Sequence, residues 1–174
     1  MIARLAALSM ALVLGACAML PAEQPLPTLQ SVPQGFEMSG RLAVRSGQHS
    51  EIAALRWTRN GTSDVWILSS PLGNEVARIE SDADGATLFP AGGFAQQAPS
   101  FQALTERFLG VALDPAWLAA ALHGKTSADL PADWKITIDE KQSEGAVELA
   151  RRITAVRGDV VVKLVVDSYR ALAR

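Results

Sequence analysis

From Phe36 onward apolar and polar residues alternate with a period of two. In "FEMSGRLAVR" Phe36, Met38, Leu42 and Val44 fall on one face, and Glu37, Ser39, Arg41 and Arg45 on the other. That is the pattern of a half-buried antiparallel strand. "IAALRW" continues it, with Ala53, Leu55 and Trp57 on one face. Asn60-Gly61, a strong hairpin signal, then separates it from the partner "DVWILS". A Pro-Leu-Gly connection leads to "EVARIES", and "DADG" leads to "ATLFP". The expected arrangement is a meander of antiparallel strands joined by short turns.

The period changes in the middle of the chain. Phe101, Leu104 and Phe108 share a face at helical spacing, with Ser100 as N-cap and Gly110 as the stop. "LDPAWLAAALHG" repeats the logic: Asp114 caps, Pro115 takes the first helical position, and Gly124 closes. Helices are therefore expected at about residues 100–110 and 115–123. Strands resume at "WKITID", with Trp134, Ile136 and Ile138 on one face, and continue in "AVELARRITAV" and "DVVVKLVVDSY". The last is apolar at nearly every position from Val160 to Val166, so both its faces should be at least partly covered. About ten strands around one helical pair do not stay flat. The fold class is mainly β, of the α+β kind, with a strongly curved sheet wrapped around the helices.

One connection breaks the polar rule for turns. "SSPLGNEV" sets Leu72 between Pro71 and Gly73, at or near the tip of a hairpin. A bulky apolar side chain there costs hydration free energy unless something covers it. Either Leu72 folds back over the sheet end, or something outside the chain covers it.

The first residues concern location. "MIARLAALSMALVLGACAML" has Arg4, an apolar run from Leu5 to Leu14, then small residues, the order of a secretory leader. The run is too short to read as a spanning helix. "LGAC", Leu14 to Cys17, resembles the lipobox of bacterial lipoproteins, which implies cleavage before Cys17 and acylation of that residue. Cys17 is the only cysteine, so no internal disulfide framework is possible. Ala18 stands where aspartate is the usual inner-membrane retention signal, which by the same resemblance favours the outer membrane, the body of the protein facing the periplasm. Residues 18–35 carry four prolines and no apolar period, so they read as an extended linker. The expected organisation is a leader at 1–16, a lipid-anchored linker at 17–35 and one domain at 36–174.

The chain holds 16 basic and 18 acidic residues. Removing Arg4 with the leader leaves 15 against 18, a formal charge of −3 with no basic block, which argues against nucleic acid as a partner. Converging catalytic groups are missing from the pattern. His49 falls on a predicted turn, and His123 in a last helical turn suits a contact with the helix dipole. Neither has the spacing of a metal pair. Asp82 and Asp84 belong to a turn and are expected to be solvated. Arg151 and Arg152 precede a strand in this reading, at least one of them solvated, the functional alternative being a contact with an acidic partner surface. No enzyme activity, metal or cofactor is expected.

The order of motifs resembles the LolB family, the outer-membrane lipoprotein receptors of the lipoprotein-sorting pathway. The matching stretches are "GRLAV" (Gly40 to Val44), Trp57, "PLG" (Pro71 to Gly73), "LTERFLGVALDPAWLAAALHG" (Leu104 to Gly124), "WKITI" (Trp134 to Ile138), "LARRIT" (Leu149 to Thr154) and "KLVVDSY" (Lys163 to Tyr169). The chain departs from the family at Leu149-Ala150, where Leu-Pro is common, at Tyr169 and around His123, where tryptophan is common, and in the short segment 125–133. The resemblance implies an incomplete antiparallel β-barrel with the helices across its open side. It implies acceptance of acylated lipoprotein cargo from the periplasmic carrier LolA and delivery to outer-membrane lipid, with the receptor a monomer. The residues proposed to line the acyl-chain cavity are Leu42, Val44, Leu55, Trp57, Trp66, Ile79, Leu88, Trp134 and Ile136. Leu72 matches the protruding apolar residue of the family's membrane-delivery loop. The alternative is a structural outer-membrane lipoprotein that scaffolds an envelope complex without binding lipid. A filled core with no affinity for a fatty-acid probe would distinguish it.

Overall fold

The computed structural model describes residues 33–125, 132–144 and 147–172. Cys17, the leader and nearly all of the linker lie outside these residues. The strands are β1 (Gly35–Ser46), β2 (His49–Asn60), β3 (Ser63–Ser69), β4 (Glu75–Ser81), β5 (Ala86–Pro90) and β6 (Gln96–Ala98), followed after the helices by β7 (Lys135–Glu144), β8 (Val147–Arg157) and β9 (Val160–Ala171). The helices are α1 (Phe101–Leu109) and α2 (Pro115–Leu122). The strands form one antiparallel sheet in the order β6-β5-β4-β3-β2-β1-β9-β8-β7. Its first and last strands in sequence, β1 and β9, pair in the middle. The edges β6 and β7 do not pair with each other among the described residues, so the sheet is open. It has nine strands where about ten were expected, one of them the three-residue β6.

The alternation in β1 sets its two faces as the sequence predicts. Phe36, Met38, Leu42 and Val44 are buried, while Arg41 and Arg45 are exposed. Gly40 interrupts the pairing of β1 with β9 by a bulge after Ser39. A Cβ on Gly40 would lie 2.1 Å from the Val165 carbonyl oxygen, so the close approach of the two backbones requires glycine there. β9 alternates buried Val160, Val162, Leu164 and Val166 with half-buried Val161 and Val165. Its second face is thus covered in part.

Both helices start and stop where their caps dictate. The Ser100 hydroxyl accepts from the Ala103 N–H at 3.1 Å, and Gly110 ends α1 in the left-handed region with φ 68°. The Asp114 carboxylate accepts from the Ala116 N–H at 2.7 Å. α2 is buried on nearly every side, from Pro115 and Trp117 to Leu122, as an all-apolar helix must be. The core lies between the sheet and the helices, with α2 against β8 and α1 against β5 and β6.

Three local expectations are corrected. Phe108 was placed on the buried face of α1 with Phe101 and Leu104, yet it is exposed and Thr105 is buried instead. The last turn of α1 reaches the end of β1, where Gly110 lies beside Ser46, and Phe108 rims an open pocket between α1 and the strands instead of filling it. Thr105 is satisfied in the core: its hydroxyl donates to the Phe101 carbonyl at 3.1 Å and accepts from the Leu113 N–H at 2.9 Å. Arg151 and Arg152 do not precede a strand but lie within β8, the strand read at "AVELARRITAV", both exposed, with Arg152 2.7 Å from the Glu140 carboxylate on β7. His123 is fully buried, in place of the solvated cation that a dipole contact at the helix end would use. Burial pulls its pKa below the usual 6.5, and its ring nitrogens lie 2.6 Å from the Ala119 carbonyl and 2.8 Å from the Tyr169 hydroxyl.

Candidate functional site

The antiparallel order brings the β1–β2, β3–β4 and β5–β6 connections to one end of the sheet. Leu72 sits in the second of them. The Gly73 N–H donates to the Ser70 carbonyl at 2.8 Å, and the Ser70 N–H donates to the Asn74 carbonyl at 2.8 Å. Pro71 fixes its own φ at the second position of this turn, and Gly73 closes it at φ 86°. The tight closure leaves Leu72 pointing away from the sheet, 89 % exposed. Nothing in the described chain folds over it.

Directly beneath is an apolar pocket of about 410 Å³. It is bounded by Leu42 and Val44 of β1, Glu51, Ile52 and Ala53 of β2, Leu68 to Pro71, Val76 of β4, and Phe108 and Leu109 of α1, with Glu51 its one charged residue. Pro71 belongs to the pocket wall and adjoins Leu72, so the wall and the exposed tip share one turn. The volume is within the range of small-molecule sites, roughly 300–1,000 Å³.

The nine residues proposed for the lining divide by position. Leu42 and Val44 reach the pocket. The strand register sets Met38, Trp57, Trp66, Ile79 and Leu88 in one row across five strands on the same face. There they are buried, with Trp57 5.2 Å from Trp66 and Trp66 4.8 Å from Phe101 on α1. Leu55 is buried one step closer to the pocket, opposite Leu68. Trp134 packs on Trp117 at 5.5 Å on the far side of α2, and half-buried Ile136 follows it on β7.

A buried polar group escaped the sequence reading. Asp64 is buried and accepts from the Trp57 indole N–H at 2.7 Å, with the Arg59 guanidinium 2.9 Å away. Burial raises its pKa, against the pull of Trp57 and Arg59. The signal was present: a two-residue turn after Asn60 puts Arg59 directly opposite Asp64. This cluster belongs to the opposite end of the sheet, where a hollow of about 480 Å³ is rimmed by polar residues including Glu80, Asp82 and Asp84. Such a rim suits water and not hydrocarbon. Asp82 and Asp84 are exposed, as expected of a turn. His49 opens β2 on the surface and lies apart from buried His123. Among the described residues no helix is long and apolar enough to cross a membrane.

Known proteins share both the sequence and the fold. Residues 34–169 match the family described as Outer membrane lipoprotein LolB. The outer-membrane lipoprotein LolB of Thiobacillus denitrificans is 31 % identical over 181 residues, spanning 94 % of this chain and 95 % of that one. That of Chromobacterium violaceum is 30 % identical over 182 residues, spanning 98 % of this chain and 100 % of its own. Among solved structures, a DUF1329 family protein from Desulfovibrio piger superposes with a TM-score of 0.55 at 7 % identity, covering 81 % of this chain and 87 % of that one. That is a likeness of fold alone. With its motifs in order along the whole domain and its match running from the first strand to the last, the chain belongs to the LolB family of outer-membrane lipoproteins.

Proposed function

We propose that this lipoprotein-sorting receptor accepts acylated lipoproteins from the periplasmic carrier LolA, holds their acyl chains in the apolar space at the sheet end, and inserts them into the outer membrane. The observation that carries the reading is the shared turn: Pro71 walls the apolar pocket and Leu72 beside it is 89 % exposed. A lining of Leu42, Val44, Ile52, Leu68 and Phe108 gains free energy in proportion to the apolar area it covers, without directional bonds. It therefore recognises the lipid and ignores the protein attached to it. Leu55, Trp57, Trp66, Ile79 and Leu88 extend the same apolar face beneath the pocket, and Trp134 and Ile136 continue the core beyond α2.

Cys17 carries the permanent anchor in this reading. Leu72 adds a brief contact, since burying one leucine is worth about 1.5–3 kcal/mol at most. That suits a step in which cargo must leave. Leu72→Glu tests it. With its side chain in solvent the variant should melt at the wild-type temperature and accept lipoprotein from the carrier, yet fail to release it into phospholipid vesicles. A variant that is stable and fully active in release removes Leu72 from the mechanism. The scaffold alternative is met by a fluorescent fatty acid, which a receptor binds and a scaffold does not.

A further inference from the structure

Among the described residues five large apolar side chains are exposed: Ile52, Leu72, Val76, Phe94 and Phe108. All five lie at the same end of the sheet, in the half formed by β1 to β6 with α1. The end opposite carries Gly61 and Thr62, and the turn from Asp82 to Gly85. Ile52, Val76 and Phe108 rim the apolar pocket, and Leu72 stands above it. Phe94 has no part in the pocket and is the most exposed of the five, at 93 %.

Phe94 occupies the β5–β6 connection, residues 91–95. This loop and the Leu72 loop leave the sheet at one level. Pro90 of β5 pairs with Ala77 of β4, the Ala91 N–H donates to the Val76 carbonyl at 3.0 Å, and Ser69 pairs with Glu75. β4 and β5 are neighbours, so about two strand spacings, or about 10 Å, separate the two hairpins. The loops share a chemistry as well. Residues 69–74 and 91–96 contain no charged side chain. Each sets one bulky apolar residue beside glycine, at Gly73 and at Gly92-Gly93.

From this we infer that Phe94 is a second membrane-insertion point, and that Phe94 and Leu72 together seat this end of the sheet on the phospholipid surface. Two tips define a line on the bilayer and fix which way the pocket mouth faces, where one tip would leave it free to rotate. Uncharged flanks let a tip enter the interfacial region without dragging an ionised group from water. The tether permits the orientation. β1 starts at the far end of the sheet, and its 12 residues rise about 40 Å to the apolar end. The 18 Cα-to-Cα steps from Cys17 to Gly35 span at most about 60 Å. An anchor at Cys17 can therefore lie in the same membrane that the opposite end of the domain touches.

The inference rests on the membrane-delivery reading of Leu72, and the test separates the two. Lipidation consumes the only native thiol, that of Cys17, so Phe94→Cys, Leu72→Cys and Asp84→Cys each offer one site for an environment-sensitive fluorophore. The full lipidated chain is reconstituted in vesicles of phosphatidylethanolamine and phosphatidylglycerol that contain acyl-chain spin labels. Labels at positions 94 and 72 should shift to the blue and be quenched, and the label at 84 should not. In parallel, Phe94→Glu should keep its melting temperature and its acceptance of cargo, and release into vesicles should slow about tenfold. Quenching at 72 without quenching at 94 overturns the inference and leaves the Leu72 reading standing. Quenching at neither position overturns both. A label at 94 that responds to the carrier and not to lipid, with acceptance lost in Phe94→Glu, assigns the loop to a protein partner and overturns the inference.

Discussion

Acidification below pH 6.5 should destabilise the folded protein through His123, and replacing that residue should remove the effect. The ring is 0 % exposed and holds two hydrogen bonds. The Ala119 carbonyl can only accept, so Nδ1 carries the proton, and Nε2 accepts from the Tyr169 hydroxyl. Burial raises the Tyr169 pKa to about 12, which keeps that hydroxyl protonated as the donor. Protonating Nε2 would place an ion in the core and take away the phenol's acceptor. Desolvation is the main cause of the lowered His123 pKa. The Ala119 hydrogen bond opposes it and nearby Arg59 reinforces it. The sign follows by linkage. Between its lowered folded pKa and 6.5 the folded state binds fewer protons at this site than the unfolded chain does. Stability is therefore complete above pH 6.5 and falls as the pH drops, by up to about 1.4 kcal/mol per pH unit for one proton. Urea unfolding of the unlipidated chain, followed by tryptophan emission from pH 5 to 8, measures it. His123→Phe should lose about 1–3 kcal/mol at pH 8, because it leaves the Tyr169 hydroxyl unpaired in a half-buried site. The gap to wild type should then narrow as the pH falls. Buried Asp64, whose pKa is raised and whose effect has the opposite sign, is common to both proteins and cancels. Parallel stability curves for the two proteins over this range would refute the assignment of a neutral, desolvated His123.

Gly40→Ala should cost about 3 kcal/mol or more in the same unfolding assay, since its Cβ meets the Val165 carbonyl oxygen at 2.1 Å within two paired strands that cannot separate. A loss under 1 kcal/mol would mean that β1 and β9 adjust around the bulge. Cys17→Ala should take up no radioactive palmitate and leave the outer-membrane fraction. Incorporation into that variant would contradict an anchor at Cys17.

What the sequence made legible is what depends on neighbours along the chain. The strand faces of "FEMSGRLAVR", the hairpin at Asn60-Gly61 and the caps at Ser100 and Asp114 are local consequences of side-chain period or turn geometry, whereas the turn at Leu72 left open whether its side chain folds back. Features that need a partner far along the chain were lost. His123 is 46 residues from Tyr169, and only the pairing of β1 with β9 brings that tyrosine to Phe36 and the end of α2. Phe108 keeps the correct helical phase, yet its burial depends on an open pocket between α1 and the sheet, which no period along α1 encodes. β6 has three residues and so shows no alternation at all. Arg151 and Arg152 read as a charged lead-in because both are polar in sequence. In β8 the bulge of β7 near Glu140 lets one carboxylate serve both.

The openness of the site sets the direction of transfer in the proposed mechanism. Each methylene removed from water is worth about 0.8 kcal/mol, whether protein or bilayer covers it. A closed cavity would match the bilayer methylene for methylene and hold its cargo. This pocket is bounded by exposed Ile52, Val76 and Phe108, and it opens beside the Leu72 turn. An acyl chain lying in it keeps part of its length against water. The bilayer covers that remainder, so each methylene left wet in the receptor favours release by the same increment. Contact of the Leu72 tip with lipid brings the pocket mouth to the surface where that difference can be realised. The design needs a lining good enough to capture and too incomplete to retain. Enlarging the cover, for example by Ala53→Leu at the pocket wall, should therefore tighten fatty-acid binding while slowing release to vesicles.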